Sequence, residues 1–355
     1  MASGWTRWLE LVEELIRLPQ TLRGGPGFHG PTSDHFDGMH FFNPGAPAGR
    51  SFADFLRWQR TRRATAWPSW REHPGTGSAP AAPAADEMAV TFINHVTFLI
   101  QLPGLNLLTD PVFAERASPV QWAGPRRVHA PGVRLDQLPA IDVVFVSHNH
   151  YDHMDLSTLR VLARTHGSLF LTGLGNGAYL QQQGITPVVE LDWWEQTSLH
   201  GAQLSFTPAQ HWSSRGPGGR NHTLWGGLWI GKGAHSLYFA GDTGYSRGFV
   251  DIRRRYGPPE VALLPIGAYE PRWFMSNQHM NPDDAVRAHI DLAARTSVAM
   301  HFGCFQLTDE GIDDPAEALE RARLAHAIAP EAFRLPVPGE TLRWRATEPL
   351  AIAAS

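Results

Sequence analysis

The chain has 355 residues, a formal net charge of −4 with histidine counted as neutral, 43% hydrophobic and 18% charged residues, and a single cysteine. These values are typical of a globular protein of one large or two small domains, and they give no general attraction to nucleic acid, which we do not expect as a partner. One cysteine excludes an intrachain disulfide framework. No apolar run reaches about 18 residues, so we expect no membrane-spanning helix.

The N-terminal part of the chain differs in composition from the rest. Apolar side chains at helical spacing over residues 5–18 predict an amphipathic helix, which either packs on the domain or lies at a membrane surface. Residues 22–50 are rich in Gly, Pro and His, which predicts irregular structure. A second helix is predicted over residues 52–72. It carries a basic cluster of Arg57, Arg60, Arg62 and Arg63. This cluster is either a solvated face or a contact for anionic headgroups.

A low-complexity run over residues 74–86 predicts a linker. We therefore divide the chain into an N-terminal helical and irregular extension, residues 1–86, and a main domain, residues 87–355. The extension is expected to pack on or near the functional site. The first residues lack the basic and apolar regions of a secretory signal, so we expect a cytoplasmic protein.

The main domain alternates short apolar runs with segments of helical spacing. Strands are predicted at residues 89–93, 97–102, 106–108, 141–147, 169–172, 188–191, 203–208, 223–230, 236–240, 261–265 and 297–301. Helices are predicted at 156–165, after 176, and at 249–255, 281–293 and 315–326. Strands, hairpins and helices in this mixture predict a layered α+β fold rather than a purely parallel sheet.

The most informative stretch follows the predicted strand 141–147. Three histidines and one aspartate fall within six residues there, namely His148, His150, Asp152 and His153. Two imidazoles at positions i and i+2 of an extended turn can face one metal ion, while Asp152 and His153 turn toward a second point. Imidazole together with carboxylate suits zinc, iron or manganese.

A site for two metals needs more ligands than this turn holds, and they should come from other strand ends. His211, Asp242 and His301 each lie at the end of, or shortly after, an apolar run. Any one of them alone is more typical of a capped loop residue. Metal-competent side chains at four strand ends of one chain instead indicate a shared site.

The order His-x-His-x-Asp-His, then His, Asp and His, resembles the metallo-β-lactamase superfamily. Further strings resemble its branch of N-acylphosphatidylethanolamine-hydrolysing phospholipase D: Leu108–Phe113, Gly124–Arg127, Glu190–Glu195, Phe239–Tyr245 and Pro265–Met275. The resemblance covers residues 88 to 340. One departure is Asn94 before His95, where relatives usually have Gly.

The resemblance implies an αββα sandwich with a pair of zinc ions at one edge; iron or manganese also fits. His148, His150 and His211 would hold the first metal, Asp152, His153 and His301 the second, and Asp242 would bridge them. A hydroxide shared by the metals would attack a phosphodiester. The substrate would be an N-acylphosphatidylethanolamine-like phospholipid, and the products would be phosphatidic acid and an N-acylethanolamine.

Two residues are assigned catalytic roles and five are expected to contact substrate. Asp152 would orient the proton of the nucleophile, and His279 would protonate the leaving alkoxide or bind the phosphate. The expected substrate contacts are Gln278, Tyr151, Trp212, Trp273 and Phe274. Aromatic residues near the ligands, Trp193 and Trp194 included, suggest a groove for acyl chains.

Other functions stay open at this point. The same metals would serve a lactonase that attacks a carbonyl carbon, or a nuclease, although no basic arm is visible. A binding protein with a structural metal is a further alternative. A phospholipase would meet the inner face of the membrane peripherally, and a homodimer is compatible with the sequence.

Overall fold

The computed structural model describes residues 25–47, 49–73, 80–216 and 218–346. The helix predicted at residues 5–18 and the linker residues 74–79 lie outside these ranges. Two seven-stranded mixed sheets face each other, with helices on their outer faces. The predicted αββα sandwich of the α+β class is confirmed.

The first sheet is antiparallel on one side and parallel on the other. Its strands are β1 (Glu87–Asn94), β2 (Thr97–Leu102), β3 (Leu105–Thr109), β4 (Val143–Val146), β5 (Leu169–Gly173), β6 (Val188–Leu191) and β14 (Thr341–Arg345). They lie in the order β14-β1-β2-β3-β4-β5-β6.

The second sheet repeats this plan. Its strands are β7 (Gln196–Leu199), β8 (Ala202–Thr207), β9 (Gly227–Lys232), β10 (His235–Phe239), β11 (Val261–Pro265), β12 (Thr296–Met300) and β13 (Phe333–Arg334). Strands β7 to β10 are antiparallel, and β10 to β13 are parallel. Because two antiparallel pairings separate β8 from β10, both run in the same direction as β12. Their carboxyl ends therefore lie at one edge.

Seven helices flank the sheets in the described part of the chain. They are α1 (Phe52–Thr61), α2 (Leu156–His166), α3 (Gly177–Gln182), α4 (Gly248–Tyr256), α5 (Arg272–Met275), α6 (Pro282–Leu292) and α7 (Asp314–Ala325). Polar side chains cap the N-termini of two of these helices. At α1 the side chain of Ser51 accepts a hydrogen bond from the Asp54 amide, and Asn281 caps α6 in the same way.

The predicted helix over residues 52–72 is wrong beyond Thr61. From Arg62 onward the backbone is extended and crosses the domain surface, where it finds hydrogen-bond partners outside a helix. The Thr65 amide donates to the Asp309 carbonyl at 3.0 Å, and the Trp67 indole donates to the Glu310 carbonyl at 2.9 Å. Tertiary contacts thus override helical spacing.

Burial explains which strands the sequence predicts. Strands such as β4 and β11 are buried at every position because the opposite sheet covers one face and helices cover the other, which produces continuous apolar runs. Three strands were missed: β7, β13 and β14. They lie at sheet edges, where β7 and β14 are partly exposed and polar and β13 has two residues.

The centre of the core lies between the two sheets. Phe145 of β4 packs against Phe206 of β8 and Phe239 of β10, with ring centroids 6.0 Å and 5.9 Å apart. All three side chains are fully buried. These aromatic contacts join the two sheets directly behind the edge at which the strands end.

Replacing Phe206 with alanine should lower the free energy of unfolding by about 3–5 kcal/mol, because it removes a fully buried ring and leaves a cavity. Chemical denaturation would measure the loss. Leu324→Ala on α7, where the side chain is 73% exposed, is the control and should change stability by less than about 0.5 kcal/mol. Equal stability of the two variants would contradict this account of the core.

Candidate metal centre

The turn after β4 places its polar side chains through a buried carboxylate. Asp110, just after β3, accepts hydrogen bonds from the Ser147 amide at 2.7 Å and the Ser147 hydroxyl at 2.6 Å. Its Oδ2 also lies 2.7 Å from His153 Nδ1. The amides of His153 and Met154 donate to the His150 carbonyl, which closes the turn. The side chains between Ser147 and His153 are thereby fixed.

A first group of nitrogens converges from His148, His150 and His211. His148 Nε2 lies 2.9 Å from His150 Nδ1, and His211 Nε2 lies 3.4 Å from the same atom. Two nitrogens bound to one tetrahedral zinc lie roughly 3.3 Å apart, so this spacing suits a common ligand. The far ring nitrogens are held elsewhere: His211 Nδ1 is 2.9 Å from the Gln278 carbonyl and His148 Nδ1 is 2.9 Å from Ser147 Oγ.

Burial keeps these imidazoles in the form that a metal requires. It lowers the pKa of His150 to about 3 and that of His211 to about 4, and it lowers the pKa of His148 as well. A neutral imidazole offers a lone pair to a cation, whereas an imidazolium does not.

A second group contains Asp152, His153 and His301. Asp152 Oδ2 lies 3.5 Å from His153 Nε2 and 3.4 Å from His301 Nε2. The contact between Asp110 and His153 Nδ1 leaves Nε2 of that ring directed at Asp152. Carboxylate–histidine pairs of this kind set the tautomer and orientation of metal-binding imidazoles.

Asp242, after β10, stands between the two groups. Its Oδ2 lies 3.2 Å from both His153 Nε2 and His301 Nε2, and 3.7 Å from His211 Nε2. Burial works against its charge, but His153 and His301 hold the pKa of Asp242 well below its usual range. Burial likewise opposes a charged His301, yet Asp242 and Asp152 raise the pKa of His301 to about 9. Buried carboxylates at this position call for a cationic partner.

The donor set fits metal ions. The described residues provide no hydrogen-bond partner for the buried atoms His153 Nε2, His301 Nε2 and Asp242 Oδ1. The imidazole nitrogens and carboxylate oxygens of the seven predicted ligands meet in groups whose ligand atoms lie within 4.8 Å of one another. Two divalent ions of the zinc, iron or manganese class would satisfy these atoms, and the identity of the metal stays a prediction.

One residue of the cluster was not predicted. His95 lies in the hairpin between β1 and β2, fully buried, with Nε2 3.1 Å from Asp152 Oδ2. Burial lowers its pKa to about 4. The His95 carbonyl also accepts the His301 amide at 2.7 Å. A lone histidine in a turn gives no spacing signal, so only the departure at Asn94 drew attention to this position.

The metal centre opens into a pocket of about 340 Å³. Its lining includes His150, Asp152 and Asp242 together with Arg50, Ser51, Phe55, Trp58, Trp212, Arg220, Ala268, Phe274, Met275, Gln278, His279, Leu307 and Thr308. Three of the five expected substrate contacts, Gln278, Trp212 and Phe274, therefore line it, together with His279. His279 Nδ1 lies 3.8 Å from Asp242 Oδ2, and burial lowers the pKa of its imidazole.

Other predicted residues lie elsewhere. Tyr151 lines a separate cavity, where Arg215 packs over its ring with Cζ 4.4 Å from the centroid. Trp273 is 36% exposed on the surface, under the guanidinium of Arg57. Trp193 and Trp194 line a depression that does not include the metal ligands. The structure thus brings none of these four aromatic side chains to the pocket.

The N-terminal segment, which we expected to pack on or near the site, lines part of the pocket with residues that the sequence did not identify. Trp58 of α1 stacks on Phe274 at 5.1 Å, and its indole donates to Asp309 Oδ2 at 3.1 Å. Asn43 donates to the His211 carbonyl at 2.6 Å. Contacts over such sequence separations have no local signal. The domain boundary at residue 86 stays a prediction, and no helix in the described part of the chain is long and apolar enough to cross a bilayer.

Asp110→Asn should weaken metal binding about 10–100-fold, because the amide cannot hold His153 and Ser147 as the carboxylate does. Competition with a chelator, followed by metal analysis, would measure the affinity. Asp136→Asn provides the matched control, since this carboxylate is exposed and pairs with Arg134. Unchanged affinity in a folded Asp110 variant would show that Asp110 does not support the centre.

Comparison with known proteins agrees with this geometry. A family model described as the beta-lactamase superfamily domain matches residues 105–302. The chain is 38% identical over 242 residues to N-acyl-phosphatidylethanolamine-hydrolyzing phospholipase D 1 of Caenorhabditis elegans, covering 65% of this chain and 68% of that protein. It is 30% identical over 235 residues to a metal-dependent hydrolase of Methanopyrus kandleri, covering 65% of this chain and 89% of that protein.

A solved structure is also similar. Isothiocyanate hydrolase from Delia radicum gut bacteria matches with a TM-score of 0.60 and 25% sequence identity, covering 73% of this chain and 100% of that one. The sandwich, the histidine and aspartate cluster at its edge, and the match over more than half of the chain agree with one another. The chain therefore belongs to the beta-lactamase superfamily and is a metal-dependent hydrolase.

Proposed function

We propose that this protein is a phosphodiesterase of the phospholipase D type, acting on N-acylphosphatidylethanolamine-like phospholipids. Water would cleave the bond between phosphorus and the oxygen of the N-acylethanolamine, so that phosphatidic acid keeps the phosphate and the N-acylethanolamine leaves as an alcohol. The similarity to the Caenorhabditis elegans phospholipase D supports this choice among the chemistries of the superfamily.

The observation that carries the proposal is the mixed character of the pocket. One wall presents the apolar side chains of Phe55, Trp58, Phe274 and Leu307, while the floor presents the histidine and aspartate cluster. A phospholipid has both parts, acyl chains and a charged phosphodiester, joined within a few bonds. A small polar substrate would make little contact with these apolar side chains.

The ligand roles follow the two groups of nitrogens and oxygens. His148, His150 and His211 would hold one zinc ion, Asp152, His153 and His301 the second, and Asp242 would contact both. When bound, two such ions polarise phosphoryl oxygens and lower the pKa of water. Asp152, which also contacts His95, would orient the proton of the attacking water.

His279 is the candidate for proton transfer to the leaving group. Its ring lies beside His211 and His301, with centroids 5.1 Å and 5.5 Å away, and its Nδ1 has no hydrogen-bond partner among the described residues. This position allows the neutral imidazole to donate a hydrogen bond to a phosphoryl oxygen, and protonation of the departing alkoxide would require the negative charge of the bound phosphate to raise the imidazole pKa. Gln278, the preceding residue, offers a second donor in the same pocket.

We further propose peripheral contact with a bilayer beside the pocket. Phe55 and Leu56 of α1 and the nearby Trp273 expose apolar surface, with Arg57 over the Trp273 ring. Apolar side chains next to arginine are suited to an anionic membrane surface. A substrate drawn from the membrane would then enter the pocket past α1.

A second candidate is hydrolysis at a carbon centre, as in a lactonase, and the similarity to isothiocyanate hydrolase favours it. The two readings differ in the charge of the substrate. Arg50 and Arg220 in the pocket favour a negatively charged substrate over a neutral lactone or isothiocyanate. Assaying lactones beside phospholipids with the same metal-loaded protein separates the two.

With metals bound, the protein should hydrolyse N-acylphosphatidylethanolamine in mixed micelles, with phosphatidic acid and N-acylethanolamine detected by mass spectrometry. Asp242→Asn should lose at least one metal and most activity, because Asp242 contacts both groups. Asp251→Asn, an exposed carboxylate on α4, is the control. Lactone opening without phospholipid turnover would exclude the proposed function. Full metal content and activity in the Asp242 variant would exclude the bridging role.

His279→Asn should lower kcat about 10²–10⁴-fold while keeping the metal content, since seven other residues are assigned as the metal ligands and His279 is assigned to proton transfer. A substrate with a p-nitrophenol leaving group, which departs without a proton, should be affected much less. His326→Asn on the domain surface is the control. If kcat fell equally for both substrates, His279 would not be the general acid.

A further inference from the structure

Two arginines in the pocket have no role in the metal centre. Arg50 precedes α1, Arg220 lies in the loop between β8 and β9, and both line the pocket that contains Asp152 and Asp242. Arg50 is half-buried and Arg220 is exposed, so they form the outer part of the pocket. Neither was singled out by the sequence.

Both side chains are held in place. The Arg220 guanidinium carbon lies over the Trp212 ring, 4.8 Å from its centroid, and Arg220 Nη1 donates to the Arg50 carbonyl at 3.2 Å. Arg50 Nε donates to the Phe274 carbonyl at 3.4 Å. The Trp212 ring in turn packs edge-on against His150, with centroids 4.5 Å apart. One indole ring therefore separates Arg220 from a metal ligand.

The described part of the chain gives neither guanidinium an ion-pair partner, although Arg50 contributes, after the hydrogen bonds of Ser51, to the lowered pKa of Asp54. No carboxylate of the described residues lies within 4.0 Å of either guanidinium, and among these residues the two guanidiniums donate only through Arg50 Nε and Arg220 Nη1. Asp54, the acidic group near Arg50, is engaged with the amide and hydroxyl of Ser51. Arg50 is half-buried, and a half-buried cation without an ion-pair partner is costly, so an anionic ligand between the two guanidiniums would offset that cost.

We propose that Arg50 and Arg220 form a subsite for a second anionic group of the substrate, a carboxylate or a phosphate, located beyond the reacting phosphoryl group. The inference rests on the proposed function, because the reacting phosphoryl group is assigned to the metal ligands on the other side of Trp212. The substrate class is then a phosphodiester lipid with an additional negative charge on one arm. The acyl chains face Phe55, Phe274 and Leu307, and the charged arm passes Trp212.

A matched pair of substrates tests this subsite. N-acylphosphatidylserine and N-acylphosphatidylethanolamine with the same chains differ by one carboxylate on the leaving arm. In neutral detergent micelles, the metal-loaded full chain should have a kcat/KM about tenfold or more higher for the serine lipid, which is the size expected of one charge-assisted contact. The double variant Arg50→Gln with Arg220→Gln should bring this ratio close to one, and Arg220→Lys should keep part of it.

The control variant is Arg321→Gln, which removes an exposed arginine of α7 that pairs with Glu317. It should keep the wild-type ratio. Repeating the assay on vesicles with anionic lipid distinguishes a substrate subsite from attraction to the bilayer. Attraction to the bilayer would raise the rate for both lipids on vesicles and give no preference in neutral micelles, and this result would overturn the subsite.

Binding without turnover separates failure of the subsite from failure of the proposed function. N-acylserine and N-acylethanolamine also differ by one carboxylate, and isothermal titration calorimetry would measure their binding. Tighter binding of N-acylserine that the double variant loses would support the subsite, even if neither phospholipid is hydrolysed. The subsite would be overturned if the serine and ethanolamine compounds were turned over equally or bound equally. A preference for the serine compound that is unchanged in the double variant would also overturn it.

Discussion

The carboxylate of Asp110 is fully buried, and each of its oxygens is engaged with the turn after β4. Burial raises the pKa of this carboxyl, so the contacts with Ser147 and His153 are what offset the cost of its charge. They also join the ends of two neighbouring parallel strands, β3 and β4. Because Ser147 Oγ contacts His148 Nδ1 as well, one carboxylate orients imidazoles of both ligand groups. The geometry of the centre depends on this network.

The geometry of the centre also depends on how the two sheets pack against each other. His148, His150, Asp152 and His153 follow a strand of the first sheet, whereas His211, Asp242 and His301 follow strands of the second. The packing of Phe145 against Phe206 and Phe239 sets the distance between these strand ends. Ions held by ligands from both sheets would tie the two halves of the sandwich together, so metal binding and stability are expected to be linked.

The N-terminal segment forms part of the pocket beside the centre. It lies outside the residues that match the family model, yet it supplies Arg50, Phe55 and Trp58 to the pocket. Hydrogen bonds connect it to the sandwich at several points. His35 lies 2.6 Å from Asp34 and 2.7 Å from Asp192, and Asn43 donates to the His211 carbonyl. The sandwich thus carries the candidate metal centre, while this segment adds part of the apolar and cationic lining of the pocket, next to Phe274, Leu307 and Arg220 of the sandwich.

By itself the sequence determined the layered fold and the set of seven candidate ligands. Buried strands leave continuous apolar runs, and polar residues at the ends of such runs meet wherever the strands end at one edge. Helix bounds were less certain, since α1 ends at Thr61 once the following segment finds partners on the domain surface.

Only the tertiary structure decided which residues line the pocket. Tyr151 is the neighbour of two ligands in sequence, yet it lines a separate cavity beside Arg215, while Trp193 and Trp194 line another depression. Conversely, His95, Arg50 and Arg220 come to the centre or its pocket through contacts that no local spacing encodes. The packing of the sheets and the N-terminal segment sets the direction of side chains in a turn and the contacts between residues more than a hundred positions apart. Periodicity along the chain does not specify this packing.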